Sequence, residues 1–208
     1  MIIYKFLLID VALVITAIPL LFLLQGGKKN SPLLRSSNKV QLLRKTTIKL
    51  PNKDKLIELE KLAKNQGSGI KFDSLLGNWK FVSVWKKDID EEDPVFSSLL
   101  RIFNAKLELK KVISTDDPLK FSIITSIQFG FFSIEFSGLG CLKGKQPKLP
   151  FFFKLIELKS GSSVFLSRPL EQPKEKDKPF FSLIAIDKNG AWLSARGQRG
   201  GLILWLKD

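Results

Sequence analysis

The alternation of apolar and polar positions divides the chain into three parts. Residues 6–24 form an almost wholly apolar run, a basic stretch without a sustained period follows to about residue 50, and short alternating or aromatic runs begin after Gly69. Nine of the later runs have the length and residue types of strands, and turn residues separate them. The pattern therefore predicts an antiparallel β domain that follows an apolar N-terminal segment.

The predicted strands are 79–85, 105–112, 121–129, 131–137, 150–158, 163–167, 180–186, 191–195 and 201–206. Residues 95–103 fit a short helix or a strand. Hairpin turns are expected at Gly130 and Gly161, and the Asn189-Gly190 pair predicts a type I′ turn. Successive strands are expected to be antiparallel neighbours.

Two of the predicted strands are apolar on both faces. The runs FFSIEF (131–136) and LPFFFKLIEL (149–158) need cover on each side. Closing about eight strands into a barrel, with a helix over the outside, supplies that cover and removes exposed strand edges. Such a barrel is wide enough for one small apolar ligand, and the predicted interior positions are Phe121, Phe132, Phe136, Phe151 and Phe153.

One amphipathic helix is predicted ahead of the strands. Within residues 52–65, Leu56, Leu59 and Leu62 recur at three-residue spacing, and Gly67 is the expected stop. We expect this helix to pack on its own domain rather than on a membrane or a partner.

The N-terminal apolar run is long enough to cross a membrane. Its 19 residues, at about 1.5 Å per residue, approach the roughly 30 Å thickness of a bilayer core. A cleaved signal peptide is the alternative, but no small-x-small cleavage site follows Leu24. One lysine precedes the run, and six basic residues follow it by position 45. The positive-inside rule then predicts a single-pass protein with its C-terminal domain on the cytoplasmic or stromal side.

Composition excludes several classes of chemistry. The 208 residues contain no histidine and one cysteine, Cys141, which excludes Ser-His-Asp and Cys-His catalysis, histidine metal sites and an internal disulfide. The net charge is +14, but the first 50 residues carry eight basic side chains and one acidic one. The remaining excess is scattered, which weighs against nucleic acid as a partner. No catalytic constellation is visible, so we predict a non-enzymatic protein with no metal and no cofactor.

Three motif-like stretches are better explained by structure than by chemistry. In residues 138–145, five residues separate the first glycine from Gly144-Lys145, where a P-loop requires four. The acidic residues of 88–93 lack the ligand spacing of an EF-hand loop. The single RGQRGG stretch at 196–201 lies beside an apolar strand, unlike an RNA-binding RGG segment.

Two segments carry a family resemblance. Residues 73–85, DSLLGNWKFVSVW, contain a short leader, Gly77-x-Trp79 and a strand, which resembles the opening of lipocalin-like barrels. From Asp187, the run through LSARGQRGGLILWL resembles the closing segment of the plastid lipid-associated proteins, or fibrillins. In that family an aspartate-containing turn leads to Ser-Arg-Gly-x-x-Gly and a final apolar strand, and here Ala195 is an extra residue after the serine.

Two explanations of the closing segment remain open. In the structural one, Trp79 fills the barrel end where the first strand meets the last, and Arg196 or Arg199 lies over its ring. Gly197, Gly200 and Gly201 then allow the backbone to bend. In the functional one, an arginine at the barrel mouth holds the carboxylate or phosphate head of a ligand.

The resemblance implies a lipocalin-like barrel that binds a lipid, prenylquinone or carotenoid at a photosynthetic membrane, either a thylakoid or a plasma membrane. The domains are then an anchor (1–26), a basic linker with a short helix (27–69) and the barrel (70–208). Membrane lipids and the apolar ligand are the expected partners, and the expected ligand contacts are Trp79, Phe121, Phe132, Phe136, Phe151, Phe153, Arg196 and Arg199. The alternative hypothesis is an anchored assembly protein with a side-chain-filled barrel that docks a photosynthetic membrane complex through an exposed apolar patch.

Overall fold

The chain folds as a mainly β structure with three α-helices and one short 3₁₀ helix, Glu175–Asp177, among the described residues. A computed structural model describes residues 48–87, 94–112, 120–145 and 147–208. The helices are α1 (Lys53–Gln66), α2 (Phe72–Leu75) and α3 (Pro94–Ile102). The strands are β1 (Gly77–Trp85), β2 (Lys106–Lys111), β3 (Lys120–Phe129), β4 (Phe132–Cys141), β5 (Lys148–Ser160), β6 (Ser163–Pro169), β7 (Phe180–Ile186), β8 (Trp192–Gly197) and β9 (Leu202–Lys207).

Eight of the nine strands close into an antiparallel barrel, as the sequence predicts. The order around the ring is β1-β2-β3-β4-β5-β7-β8-β9, and β9 pairs with β1 to close it. All nine predicted strands are confirmed. The ring brings the first and last strands together at Trp79, which pairs with Lys207.

The ninth strand, β6, lies outside the ring. The 13-residue β5 pairs through Lys148–Pro150 with β7, and through its later residues with both β4 and β6. The expectation that successive strands are neighbours is therefore wrong for β6 and β7. Strand β5 is much longer than the segment that pairs with β7. Its later residues continue beyond β7 and pair with β6, which forms a hairpin that projects from the ring.

The helices cover the barrel at different places. Helix α1 starts at Asn52, whose side chain accepts a hydrogen bond from the Lys55 N–H, and it ends at Gly67 with φ of 88°. It packs on the outer face of the barrel, which confirms the prediction. Residues 94–102 are helical, which decides the open choice for that segment, and Ser97 Oγ accepts a hydrogen bond from the Val84 N–H at 3.0 Å.

Alternation along the strands gives the barrel two apolar clusters. In β9, Ile203 and Trp205 face the interior cluster, whereas Leu202 and Leu204 face the cluster beneath α1. All four positions are buried, which explains why this strand has no polar positions in its centre.

The β7–β8 turn differs from the predicted type I′ geometry. That geometry needs positive φ at both central residues, but in this turn only Gly190 has it, at 70°. The carboxylate of Asp187 accepts hydrogen bonds from the N–H groups of Asn189 and Ala191. The Gly190 N–H also donates to the Asp187 carbonyl, so the connection of residues 187–191 is organised by Asp187 and not by a two-residue turn.

None of the helices in the described ranges is long and apolar enough to span a membrane. The predicted anchor at 6–24 lies outside the described residues, so it stays a prediction.

Candidate ligand-binding site

Different helices cover the two ends of the barrel: α2 lies at the end that we call lower, and α3 packs Leu100 into the interior cluster at the opposite, upper end. At the lower end, α2 brings Phe72 to 6.0 Å from the Phe121 ring, and the Trp79 Nε1–H donates to the Leu75 carbonyl at 2.8 Å. Leu75 and Trp79 are almost completely buried. The upper end is formed by α3, the β3–β4 and β5–β6 hairpins and the β8–β9 turn.

Half-buried apolar side chains line the inner face of β4 and β5 towards the upper end. The strand register places Phe136 opposite Ile156 and Ile134 opposite Leu158, and Phe153 lies next to Phe136. We call these five residues the apolar wall. Each is neither fully packed nor fully solvated, so the wall offers apolar contact area that the barrel core does not use.

A row of aromatic rings continues from the apolar wall into the centre of the barrel. Successive ring centroids are 5.1–5.5 Å apart, within the range of favourable aromatic pairs. The row runs Phe136, Phe153, Phe151, Phe181, Trp205, Phe81. Its first two members are half-buried and the other four are buried.

Trp205 is the polar member of this row. Its side chain is 1% exposed, yet its Nε1–H has no hydrogen-bond partner among the described residues. An unpaired buried donor typically costs about 1–3 kcal/mol. Trp79, the other tryptophan of the interior, has its donor satisfied by Leu75.

The predicted interior phenylalanines divide into three groups. Phe121 and Phe151 are buried in the core, and Phe136 and Phe153 belong to the apolar wall. Phe132 is 41% exposed, so its predicted interior position is wrong. It lies in the part of β4 that extends with β5 and β6 beyond the closed ring, where it contacts Phe129 and Phe165.

The cation over Trp79 is a lysine rather than a predicted arginine. Lys207 Nζ lies 5.1 Å from the Trp79 ring centroid. Arg196 and Arg199 lie at the other end of β9, in and beside the β8–β9 turn. The sequence pattern missed Lys207 because the register of β1 with β9 decides which cation meets the ring.

Arg196 faces the outside of the barrel, where it binds α1. Its Nε and Nη2 donate to the two carboxylate oxygens of Glu60 at 2.7 and 2.5 Å, and its Nη1 donates to the Gly200 carbonyl at 2.6 Å. Lys64 Nζ also lies 3.0 Å from Glu60. The guanidinium therefore fastens the helix to the β8–β9 turn.

Gly200 alone among the turn glycines needs an unusual backbone angle. Its φ is 91°, whereas Gly197 and Gly201 lack positive φ. The Gly197 and Gly200 N–H groups bond within the turn. The glycines of this stretch therefore form the β8–β9 hairpin, and the barrel closes elsewhere, between β9 and β1.

Replacing Glu60 with glutamine is expected to lower the free energy of unfolding by about 2 kcal/mol at pH 7. Burial raises the pKa of Glu60, but the hydrogen bonds and charges of Arg196 and Lys64 outweigh it, so its pKa lies below the ordinary 4.5. A carboxyl with a lowered folded-state pKa stabilises the fold above the unfolded value and loses that contribution as the pH falls through the folded value. The difference from wild type should therefore shrink below pH 4.5 in urea titrations.

Glu58→Gln is the matched control, because Glu58 lies on the same helix with its side chain 59% exposed. Equal losses for the two variants would contradict a special role for Glu60.

An exposed apolar patch lies on the two hairpins of the upper end. Phe131 is 87% exposed, and Phe132, Val164, Phe165 and Leu166 are 41–63% exposed. We call these five residues the hairpin patch. The sequence signal for it was the pair of apolar runs flanking Gly130 and Gly161, which sequence analysis assigned to the barrel interior or to ordinary strands.

Among the described residues, no group of three or more Cys, Asp or Glu side chains is placed to hold a metal ion. Cys141 is half-buried at the end of β4.

Comparison with known proteins gives no relative for this chain. No family model, no curated protein and no solved structure matches it. The resemblance to the fibrillins therefore stays a prediction.

Proposed function

We propose that this protein binds an apolar small molecule at the upper end of the barrel, against the apolar wall, and shelters it without transforming it. The N-terminal apolar segment holds the barrel at a membrane from which such molecules come. A lipid, a prenylquinone or a carotenoid fits this role. Closed antiparallel barrels of eight strands are a common architecture for carriers of one small ligand.

The observation that carries the proposal is the gradient of burial along the aromatic row. Phe136 and Phe153 are half-buried, while Phe151 and Phe181 behind them are 2% and 4% exposed. A ligand that covers the wall removes apolar surface from water at about 25 cal/mol per Å². It does so without disturbing the packed lower end, where α2 and Trp79 close the barrel.

Arginine has a smaller part in this proposal than the sequence suggests. Arg196 is committed to Glu60 on the outer face. Arg199 lies in the β8–β9 turn at the upper end and stays a proposed contact for a ligand head group.

The full chain in mild detergent is expected to bind cis-parinaric acid, a fluorescent fatty acid, with excitation transfer from tryptophan. Phe136→Ala should weaken binding about tenfold, because it removes a ring from the wall. Phe131→Ala is the matched control, since Phe131 is 87% exposed and lies outside the wall. Equal affinity of all three proteins, or binding by none, would overturn the proposal.

The hairpin patch favours a second candidate function, the docking of a membrane complex. Contiguous exposed apolar surface is costly in an isolated protein and marks interaction sites. The test is whether the full chain co-purifies with a membrane complex and whether Phe165→Asp abolishes this. Co-purification that Phe165→Asp abolishes, together with no binding of an apolar probe, would favour docking through this surface as the function.

A further inference from the structure

The Trp205 indole is a buried hydrogen-bond donor on the inner face of the barrel. The ring belongs to the interior cluster, 5.2 Å from the Phe81 ring and 5.5 Å from the Phe181 ring, measured between centroids. The strand register confirms that this face of β9 points inwards, because Trp205 pairs with Phe81 and Leu193 and both belong to the same cluster. Its Nε1 has no partner within the described parts of the chain.

The same fold satisfies its other interior tryptophan. Trp79 Nε1 donates to the Leu75 carbonyl at 2.8 Å, because α2 brings a helix-end carbonyl to it. No comparable acceptor reaches Trp205 from the described residues. A phenylalanine would pack among these aromatic neighbours without an unpaired donor, so packing alone does not explain an indole at this position.

The charges around this position select the kind of acceptor. The buried polar side chains of the described residues are Glu60, Ser83, Ser97, Thr125 and Ser194. Glu60 lies on the outer face with Arg196, whereas the uncharged Thr125 lies on the inner face in register with Phe136. A carboxylate buried beside Trp205 would find no cation among the buried side chains there. A neutral carbonyl oxygen needs only a donor.

We infer that Trp205 donates a hydrogen bond from Nε1 to a neutral carbonyl oxygen of the bound ligand, whose apolar part extends along the aromatic row to the apolar wall. The ligand class is thus an apolar ketone, quinone or ester. A free fatty acid can cover the apolar wall with its chain but cannot bury its carboxylate beside Trp205, and a pure hydrocarbon offers no acceptor. This inference rests on the proposed function, because it assumes that the barrel takes up a ligand.

Two other partners for the indole are outcomes of the test. The Phe181 ring lies at 81° to the Trp205 ring, so the N–H can point at a ring face and form a weak bond. A single buried water is the second. In neither case would the N–H respond to a carbonyl on a ligand.

The experiment compares two probes of nearly equal shape, 2,3-dimethyl-1,4-naphthoquinone and 2,3-dimethylnaphthalene, by equilibrium dialysis with the full chain in one detergent. For each protein we take the ratio of its affinity for the quinone to its affinity for the hydrocarbon. This ratio is expected to be about tenfold higher for wild type than for Trp205→Phe. Partition into micelles is the same for both proteins and cancels in this ratio. Trp192→Phe is the matched control, since Trp192 packs in the outer cluster beneath α1.

A second measurement follows the indole itself. In a sample labelled with ¹⁵N-tryptophan, the four indole signals are assigned from single Trp→Phe variants, and the Trp205 N–H signal should shift downfield with the quinone and not with the hydrocarbon. It tests the wild-type chain, so it stands even where Trp205→Phe folds poorly.

The outcomes separate the two proposals. Binding of both probes with the quinone preference unchanged in Trp205→Phe, or with an unmoved Trp205 signal, would overturn the hydrogen bond and leave the apolar site. Binding of neither probe by wild type, together with no binding of cis-parinaric acid, would overturn the proposed function itself.

Discussion

Replacing Gly138 with alanine is expected to cost the barrel about 3 kcal/mol or more of its free energy of unfolding. A Cβ at this position would overlap the Phe152 carbonyl oxygen and lie 2.7 Å from the Phe153 Cα. Both are backbone atoms of β5, so no side-chain rotation can relieve the contact. The pairing of β4 with β5 must therefore open at the register shift between Ser137 and Gly138.

The measurement is urea unfolding followed by tryptophan fluorescence, with Gly201→Ala as the matched control. A Cβ at Gly201 would meet its nearest neighbour, the Trp85 carbonyl oxygen, at an ordinary 3.7 Å, and Gly201 lacks positive φ. Its alanine variant should change stability by less than about 0.5 kcal/mol. If Gly138→Ala is as stable as Gly201→Ala, then β4 and β5 are not in the close contact described above.

The functional consequence follows from where β4 and β5 meet. Gly138 pairs with Phe153, which belongs to the apolar wall, and Gly140 leaves room for the Phe121 ring, which a Cβ would approach to 2.5 Å. Because glycine has no side chain, these two positions leave room for the neighbouring phenylalanines. We therefore expect Gly138→Ala to weaken binding of the apolar probe as well, in the fraction that remains folded.

The sequence predicted the architecture because its strongest signals are local. Strands rich in apolar residues need cover, which the closed barrel gives to their inner faces. Helix α1 covers the outer faces of β7, β8 and β9 and not those of β4 and β5, from which the cover was predicted. The stop at Gly67 is read from a single residue, and the helix ends there. Such signals fix which elements form and whether their faces are buried.

The errors arose where a choice depends on long-range register. Nothing in residues 163–169 alone indicates that β6 pairs only with β5, since this follows from the length of β5 relative to the ring. Phe132 was placed inside for the same reason. Whether Arg196 faces Trp79 or Glu60 depends on strand parity and on α1, which lies 136 residues away along the chain.

The candidate site was only partly visible in the sequence. Phe136, Phe151 and Phe153 could be chosen from their aromatic runs, because successive side chains of a strand point to opposite faces and one face had to be the interior. Trp205 could not be singled out, because an apolar strand with one tryptophan gives no indication of whether its N–H finds an acceptor. That question is settled by neighbouring elements, as the contrast between Trp79 and Trp205 shows.

Replacing Leu56 with aspartate is expected to release α1 from the barrel and to cost about 4 kcal/mol of the free energy of unfolding. Leu56 is completely buried in the outer cluster, among Trp85, Ile184, Leu202 and Leu204. The substitution removes the apolar contact and places a carboxylate without a partner in that cluster. The measurement is the midpoint of urea unfolding, with limited proteolysis to detect cleavage within α1.

Leu62→Asp is the matched control, since Leu62 lies on the same helix and is 45% exposed. It changes the helix propensity and the charge equally but should leave the midpoint nearly unchanged. If both variants have the same unfolding midpoint, α1 is stabilised by its own helical hydrogen bonds and not by contact with the barrel. If only Leu56→Asp lowers the unfolding midpoint, the outer faces of β7, β8 and β9 need α1 for cover. Arg196 then loses its ion pair with Glu60 when the helix detaches from the barrel. A ligand-binding fragment of this protein would then have to begin before Asn52, because cleavage near Gly67 removes the helix that completes the fold.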